Sequence, residues 1–257
     1  MPTPVALTIA GSDPSGGAGI QADLKTFHQF GVYGEAVVTL ITVQNTRGVR
    51  RVEVLDAGLV AEQIRAAIED IRPGAAKTGA LGDRAVAETV AKLAQDFDFP
   101  LVVDPVMISK HGMPLWNGPM PAIRSYLITP NLHEASALAG FLVDDLESMR
   151  RAARKLREIG ASNVLIKGGH LRGEAVDLLY TSADELQEFA APRIETPHTH
   201  GTGCTYSAAI TAELAKGTAL EAAVARAKAF ITEAIRTNPG LGGGCGPLNH
   251  FAKTPST

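Results

Sequence analysis

The segment His198-Thr-His-Gly-Thr-Gly-Cys204 places two glycines and a cysteine directly before an alanine-rich stretch. Glycines let consecutive backbone amides converge, and a helix N-terminus adds about half a positive charge, so this segment suits an anion. Phosphate is the natural candidate, because helix N-termini commonly hold phosphate groups. The predicted anion-binding residues are Gly201, Thr202, Gly203 and Cys204. The alternative is a tight turn that only caps a helix.

Cys204 has a second predicted role because it lies at that helix N-terminus. There the pKa of a thiol can fall from about 8.5 into the range of about 3.5 to 7.5. We therefore expect Cys204 to be a thiolate near neutral pH, which would accept a proton from a substrate hydroxyl or orient that hydroxyl. The alternative is a small buried cysteine that only packs.

Oxygen-bearing side chains follow two of the apolar runs. Asp104 comes directly after Leu101-Val-Val, and Asn131 and Glu134 come shortly after Ile128. Mg²⁺ prefers oxygen ligands and often retains some of its own waters, so Asp104, Asn131 and Glu134 are candidates for a metal and nucleotide site. Helix capping and loop hydrogen bonds are the alternative roles for these three residues.

Other kinds of site have weaker support in the sequence. Residues 17–22 match the dinucleotide fingerprint GxGxxA, but the acidic residue expected about 20 positions later is missing. No GxxxxGK[ST] motif occurs, which excludes a P-loop. His198 and His200 lack a third nearby metal ligand and are better explained as polar groups of a loop. Lys167-Gly-Gly-His170 either approaches a phosphate or turns the chain.

Composition narrows the classes of protein further. The 257 residues are 45% hydrophobic, which favours one large core and a single domain spanning 1–257. The net charge of −3 arises from 24 basic and 27 acidic residues without a basic stripe, which argues against nucleic-acid binding. Two cysteines are too few for a disulfide framework, and no targeting or membrane segment stands out, so we expect a cytoplasmic protein.

Apolar runs alternate with amphipathic stretches along most of the chain. The predicted strands are 5–10, 37–43, 75–78, 101–104, 126–128 and 164–167, followed by a hairpin of 176–180 and 186–189. The predicted helices are 18–30, 59–71, 84–95, 146–159, 203–216 and 219–236. Such alternation predicts an α/β fold with a mostly parallel sheet, in which ligands bind at the carboxyl ends of the strands.

Six motifs, in order along nearly the whole chain, resemble the hydroxymethylpyrimidine/phosphomethylpyrimidine kinases of thiamine synthesis. They are Ala10-Gly-Ser-Asp-Pro-Ser-Gly-Gly-Ala-Gly with the following Asp23, Val43-Gln-Asn-Thr-Arg-Gly, Val103-Asp-Pro-Val-Met, Thr129-Pro-Asn-Leu-His-Glu-Ala, Ile166-Lys-Gly-Gly-His and His200-Gly-Thr-Gly-Cys-Thr. The terminal Pro239-Gly-Leu-Gly-Gly-Gly-Cys-Gly-Pro-Leu-Asn-His also fits. The resemblance implies a ribokinase-like three-layer α/β/α fold, ATP and Mg²⁺ as cofactors, and a homodimer.

The resemblance also implies roles for individual residues. Gln44 would hydrogen-bond an aminopyrimidine ring, and the substrate pocket would consist of Gly11, Asp23, Gln44, Ala80 and Val106. Asp104 and Glu134 would hold Mg²⁺, while Asn131, Lys167 and Lys228 would serve the nucleotide. Residues 201–204 would surround the transferred phosphoryl group, with Asp177 at the rim of the pocket.

Two positions depart from the family pattern. Ala80 replaces a bulky side chain that is expected against the pyrimidine, and Glu35 stands where an apolar residue is more usual. The predicted reaction is phosphorylation of 4-amino-5-hydroxymethyl-2-methylpyrimidine and then of its monophosphate. The alternatives are a pyridoxal or pyridoxine kinase, which Ala80 leaves open, a non-catalytic nucleotide-binding protein, and a nicotinamide-dependent oxidoreductase.

Overall fold

The computed structural model describes residues 3–108, 112, 115, 124–169, 171 and 173–253. Within them lie nine strands: β1 Val5–Ser12, β2 Tyr33–Asn45, β3 Gly48–Val54, β4 Ala75–Thr78, β5 Leu101–Val103, β6 Ser125–Ile128, β7 Ala161–Ile166, β8 Ala175–Tyr180 and β9 Leu186–Ala191. The α-helices are α1 Gly19–Gln29, α2 Ala57–Asp70, α3 Arg84–Leu93, α4 Leu132–Ala139, α5 Leu146–Glu158, α6 Thr202–Ala215 and α7 Leu220–Arg236, and a 3₁₀ turn spans Ala94–Asp96. None of the helices in this described part is long and apolar enough to cross a membrane.

All nine strands form one sheet in the order β3-β2-β1-β4-β5-β6-β7-β8-β9. The six strands from β2 to β7 in this order pair in parallel, whereas β3, β8 and β9 pair antiparallel at the two edges. The carboxyl ends of β1, β4, β5, β6 and β7 therefore meet along one edge, where the loops that follow them gather.

Alternate strand residues point to opposite faces of the sheet and build separate cores. Ala6, Ala75, Val102 and Leu165 pack with α1, α6 and α7 on one face. Their chain neighbours Leu7, Ala76, Leu101 and Val164 pack on the other face, against α2 and α3 or against α4 and α5. This arrangement confirms the predicted three-layer α/β/α fold with a mostly parallel sheet.

The structure adds β3 and α4, which the sequence patterns did not predict. Gly48–Val54 carries Arg50, Arg51 and Glu53 and pairs with one neighbour at the edge of the sheet, so it lacks the apolar run of a central strand. β2 also extends beyond the predicted 37–43, because its start pairs with β1 from Tyr33 onward and its end pairs with β3 as far as Asn45. Leu132–Ala139 is only eight residues long, too short for a clear helical period.

Candidate functional site

A cavity of about 600 Å³ lies where the carboxyl ends of the parallel strands meet the N-termini of α1, α4 and α6. All but one of the predicted site residues line it: Gly11, Gln44, Ala80, Asp104, Val106, Asn131, Glu134, Lys167, Gly201, Thr202, Gly203, Cys204 and Lys228. Asp23 does not belong to the lining. The order of the elements thus brings residues from across the whole chain to one site.

The turn at the start of α6 has the geometry that the glycines predicted. Gly201 caps the helix at φ 81°, a left-handed conformation, and a Cβ there would lie 1.8 Å from the carbonyl oxygen of Gly17. The Thr202 hydroxyl closes the turn by donating to the carbonyl of Thr199 over 2.8 Å. The first amides of a helix lack intrahelical partners; that of Thr202 donates to the carbonyl of Thr199 over 3.3 Å, so the amides of Gly203 and Cys204, which line the cavity, are the candidate anion donors.

A buried ion pair lies beside that turn. Lys167 Nζ donates to Asp104 Oδ1 over 2.8 Å, and Asp104 is only 2% exposed. The hydroxyls of Thr129 and Ser207 donate to the two oxygens of Asp104 over 3.3 and 3.4 Å. Burial acts to lower the pKa of Lys167, but the carboxylates of Asp104 and Glu134 outweigh it and raise that pKa, so the ammonium group stays charged.

Asn131 and Glu134 form a capping box at the start of α4. The Asn131 side chain accepts from the backbone N–H of Glu134 over 2.9 Å, and the Glu134 carboxylate accepts from that of Asn131 over 2.8 Å. The predicted alternative of helix capping therefore holds for both residues, which nevertheless line the cavity. Burial, together with the nearby charge of Asp104, raises the pKa of Glu134 to about 7, against the effect of Lys167.

The expectation that Cys204 is a thiolate is wrong for this cavity. Burial raises the pKa of its thiol to about 12, and the charges of Asp23 and Asp104 act in the same direction. Lys77 and the backbone N–H of Gly19 oppose this shift but do not outweigh it. Because desolvation of a charged sulfur outweighs the nearby groups that favour it, Cys204 carries its proton and can orient a hydroxyl but not deprotonate it.

Asp23 was expected to contact the substrate, but it lies beneath the cavity. Its Oδ2 accepts from Lys77 Nζ over 2.8 Å and from the Thr8 hydroxyl over 2.6 Å, and all three side chains are fully buried. Asp23 lies on the face of α1 that packs on the sheet, and a carboxylate there needs a cation. Lys77 was overlooked, although a lysine inside the apolar run Ala75–Thr78 signals such a buried pair.

Lys228 and Asp177 form a further buried pair in the cavity wall. Lys228 Nζ donates to Asp177 Oδ2 over 2.7 Å and to the carbonyl of Ala175 over 2.9 Å. The other oxygen of Asp177 accepts from the backbone N–H of Gly168 over 2.9 Å. Asp177 is 2% exposed, so it lies within the wall and not at the rim as expected.

His200 joins the first loop to the turn of α6. Its Nε2 lies 2.8 Å from Asp13 Oδ2 and 3.3 Å from Gln44 Nε2. No motif or spacing predicted that Asp13 and His200, which are 187 positions apart, would meet. Among the described residues no three His, Cys, Asp or Glu side chains cluster as a metal site.

Two further residues named from the sequence lie outside the site. His170 lies outside the described residues. Glu35 lies on β2, away from the cavity lining, and burial raises the pKa of its carboxyl group.

The family model for phosphomethylpyrimidine kinase matches residues 13–249. The chain belongs to the phosphomethylpyrimidine kinase family. It is 46% identical over 254 residues to the hydroxymethylpyrimidine/phosphomethylpyrimidine kinase of Streptomyces coelicolor, covering 96% of this chain and 94% of that protein. It is 47% identical to the thiamine biosynthesis bifunctional protein ThiED of Geobacter sulfurreducens, covering 95% of this chain and 52% of that longer protein.

Solved structures of the same fold include two kinds of vitamin kinase. A Bacillus subtilis pyridoxal kinase in complex with ADP matches with a TM-score of 0.88 and 39% identity, covering 98% of each chain. The phosphomethylpyrimidine kinase of Clostridium difficile matches with a TM-score of 0.79 and 41% identity, covering 90% of this chain and 99% of that one. The family predicted from the motifs is therefore confirmed, together with its ribokinase-like fold.

Proposed function

We propose that the protein transfers the γ-phosphoryl group of ATP to the hydroxymethyl group of 4-amino-5-hydroxymethyl-2-methylpyrimidine, and then phosphorylates the monophosphate to the diphosphate. The observation that carries this proposal is the Lys167–Asp104 pair beside Gly203 at the start of α6. A Cβ on Gly203 would lie 3.4 Å from Lys167 Nζ, so a cation and helix amides converge on one small space. The names of the curated relatives support the same substrate and a place in thiamine biosynthesis.

The chemistry of phosphoryl transfer suits this arrangement. The transition state spreads negative charge over three equatorial oxygens, and the protein contributes mainly positioning and electrostatic stabilisation. Residues 201–204 supply amides from a rigid turn, and Lys167, fixed by Asp104, supplies a charge that needs no rearrangement. The protonated thiol of Cys204 would orient the attacking hydroxyl by a hydrogen bond. In a loose transition state the bond to the attacking oxygen is little formed, so that hydroxyl has little need of a strong base.

The carboxylates fit a magnesium ion. Asp104 and Glu134 both line the cavity and are buried, and Asp104 already pairs with Lys167. Asp104, Glu134 and Asn131 would hold the ion, directly or through its waters. When bound, Mg²⁺ would neutralise charge on the phosphate oxygens of ATP.

The two ends of the cavity suit different ligands. Gly11, Gln44, Ala80 and Val106 form the end that would take the pyrimidine ring. Lys228 lines the other end with apolar side chains of α7 and would lie near the nucleotide. The similar Bacillus subtilis pyridoxal kinase forms an ADP complex, which supports a nucleotide site in this protein.

A pyridoxal kinase is the second candidate, supported by one observation. Ala80 presents only a methyl group to the ring end of the cavity, which leaves room for a more heavily substituted pyridine. The structural similarity to pyridoxal kinases agrees with that possibility. We also infer a cytoplasmic homodimer, on the basis of the family resemblance, and light scattering of the purified protein would test the oligomeric state.

The test is phosphate transfer from ATP to a panel of hydroxymethyl-bearing pyrimidines and pyridines, with product mass showing one phosphate or two. We expect kcat/KM to be highest for the aminopyrimidine and its monophosphate. A higher value for pyridoxal would replace the proposed function by the second candidate. Binding of ATP without transfer to any member of the panel would instead indicate a non-catalytic nucleotide-binding protein.

A further inference from the structure

The loop that joins β7 to β8 runs along the rim of the cavity. It begins at Lys167 and ends where β8 starts at Ala175. Gly169 within the loop lines the cavity, as do Lys167 and Ala175 at its two ends. The carbonyl of Ala175 accepts from Lys228 Nζ over 2.9 Å, and Lys228 lines the end of the cavity proposed for the nucleotide. The loop therefore borders that nucleotide end.

Arg193 gathers three backbone carbonyls of this β7–β8 loop. Its Nη1 donates to the carbonyl of Gly169 over 2.8 Å, and its Nη2 donates to that of Leu171. Its Nε donates to the carbonyl of Gly173 over 2.9 Å. Arg193 itself follows β9, which is paired with β8 at the edge of the sheet. All three nitrogens of one planar guanidinium thus tie the loop to the edge of the sheet.

Packing fixes the start of the loop but not the part that Arg193 holds. A Cβ on Gly168 would lie 1.8 Å from the carbonyl oxygen of Val176, so the backbone of Gly168 is closely packed. No described atom lies within 4 Å of a Cβ on Gly169 or on Gly173. Glycines in open space leave a loop many conformations, and ordering them costs free energy. The hydrogen bonds from Arg193 supply the constraint that packing does not.

We propose that Arg193 is a positioning residue that holds the β7–β8 loop in the shape that lines the nucleotide end of the cavity, and thereby sets the affinity for ATP. This inference rests on the proposed function. A loop that adopts its binding shape for only a fraction of the time lowers the apparent affinity by that fraction. Lys167 is fixed separately, by Asp104 and by donation from its backbone N–H to the carbonyl of Pro130 over 2.8 Å. Loss of Arg193 should therefore weaken nucleotide binding and leave phosphoryl transfer intact.

The test compares Arg193→Met and Arg193→Lys by calorimetric titration with ADP and Mg²⁺, without the pyrimidine. Arg193→Met should bind ADP about 10- to 100-fold more weakly, because three hydrogen bonds from a charged group are lost. Arg193→Lys should be nearly as weak, since one ammonium nitrogen cannot replace the three nitrogens of a planar guanidinium. Wild-type affinity of Arg193→Lys would show that a positive charge alone is enough, as for a direct contact with the phosphates, and would overturn the proposal.

Steady-state kinetics separate positioning of the loop from a general loss of structure. Saturating ATP selects the binding shape of the loop, so kcat of Arg193→Met should stay within about twofold of the wild type while KM for ATP rises. KM for the pyrimidine should not change. Arg154→Met, an exposed change on α5 outside the cavity lining, is the matched control and should behave like the wild type. A fall in kcat with unchanged KM for ATP, or equal effects of Arg154→Met, would contradict the proposed role of Arg193.

Gly173→Ala disturbs the loop without changing Arg193, in case the Arg193 variants fold poorly. Gly173 has φ 86°, in the left-handed region, so alanine should weaken ADP binding by about 5- to 30-fold. Gly173→Asn should bind ADP more tightly than Gly173→Ala, because asparagine adopts this conformation more readily. Wild-type affinity of Gly173→Ala would mean that the shape of the loop does not control nucleotide binding, and the proposal would fail. A wild-type protein that binds ADP but phosphorylates no member of the panel would contradict the proposed function alone.

Discussion

Lys77 and Asp23 form an ion pair in which neither side chain has any exposed surface, with Nζ and Oδ2 2.8 Å apart. The pair joins the central strand β4 to α1 directly below the cavity. Burial acts to lower the pKa of Lys77, but the carboxylate of Asp23 outweighs it and raises that pKa, so the lysine remains charged. The second oxygen of Asp23 has no hydrogen-bond partner among the described residues, so Lys77 is its main compensation.

We expect Lys77→Met to destabilise the protein by about 3 to 5 kcal/mol, because it leaves a buried carboxylate without its cation. The double variant Lys77→Met/Asp23→Leu should recover most of that free energy, since it removes both charges together. Urea denaturation measures both effects. If Lys77→Met is as stable as the wild type, then water reaches Asp23 and the ion pair is not isolated from solvent.

Gly203→Ala should separate stability from activity. Alanine favours a helix over glycine by about 0.5 to 1 kcal/mol, and a Cβ there meets Lys167 Nζ at 3.4 Å and Asp104 Oδ2 at 3.6 Å without a clash. We therefore expect a stable protein whose kcat for phosphate transfer falls by about 100-fold, because the methyl group displaces the phosphoryl group from Lys167. Gly48→Ala, at a position with open space, is the control. Unchanged turnover of Gly203→Ala would place the reaction elsewhere.

The protonation state of Cys204 predicts the size of a mutational effect. With a pKa of about 12 the thiol is neutral, so Cys204→Ala should lower kcat only about tenfold, the scale of one hydrogen bond. Loss of a proton acceptor would cost about 100-fold or more. In a Cys245→Ser background, alkylation by iodoacetamide should be slow at neutral pH and still rising at about pH 9. An alkylation rate that reaches a plateau below about pH 8 would show that Cys204 is a thiolate.

Glu134 makes stability depend on pH. Its pKa in the folded protein is about 7, above the ordinary 4.5, so the folded state holds the proton more tightly than the unfolded chain does. The contribution of Glu134 to the stability of the folded protein is fully present below about pH 4.5 and is lost as the pH rises toward 7. As the pH rises from about 4.5 to 7, the free energy of unfolding of Glu134→Gln should therefore increase relative to that of the wild type. Above about pH 7 this difference should stay constant.

Thermal melts at several pH values measure the difference between Glu134→Gln and the wild type. Glutamine keeps an acceptor for the backbone N–H of Asn131, so the cap of α4 is preserved in the variant. Glu69→Gln, an exposed change on α2, is the matched control for the substitution itself. A constant difference from acidic to neutral pH would contradict the raised pKa of Glu134.

The fold was largely predictable because its signals are local. Apolar periodicity located the central strands, and the run Ala75–Thr78 was predicted with its observed bounds. The edge strand Gly48–Val54 and the short helix Leu132–Ala139 lack such signals, since one pairs with a single neighbour and the other spans about two turns. Their existence depends on what they pack against.

The sequence by itself determined the family, the alternation of strands and helices, and the turn at Gly201, because a glycine motif records a backbone conformation directly. Only the tertiary structure decided that Asp23 is buried with Lys77, 54 positions away, that Cys204 keeps its proton, and that His200 meets Asp13. Exclusion of water and contacts between distant segments arise from the whole fold, and they set the charge and orientation of each group in the site.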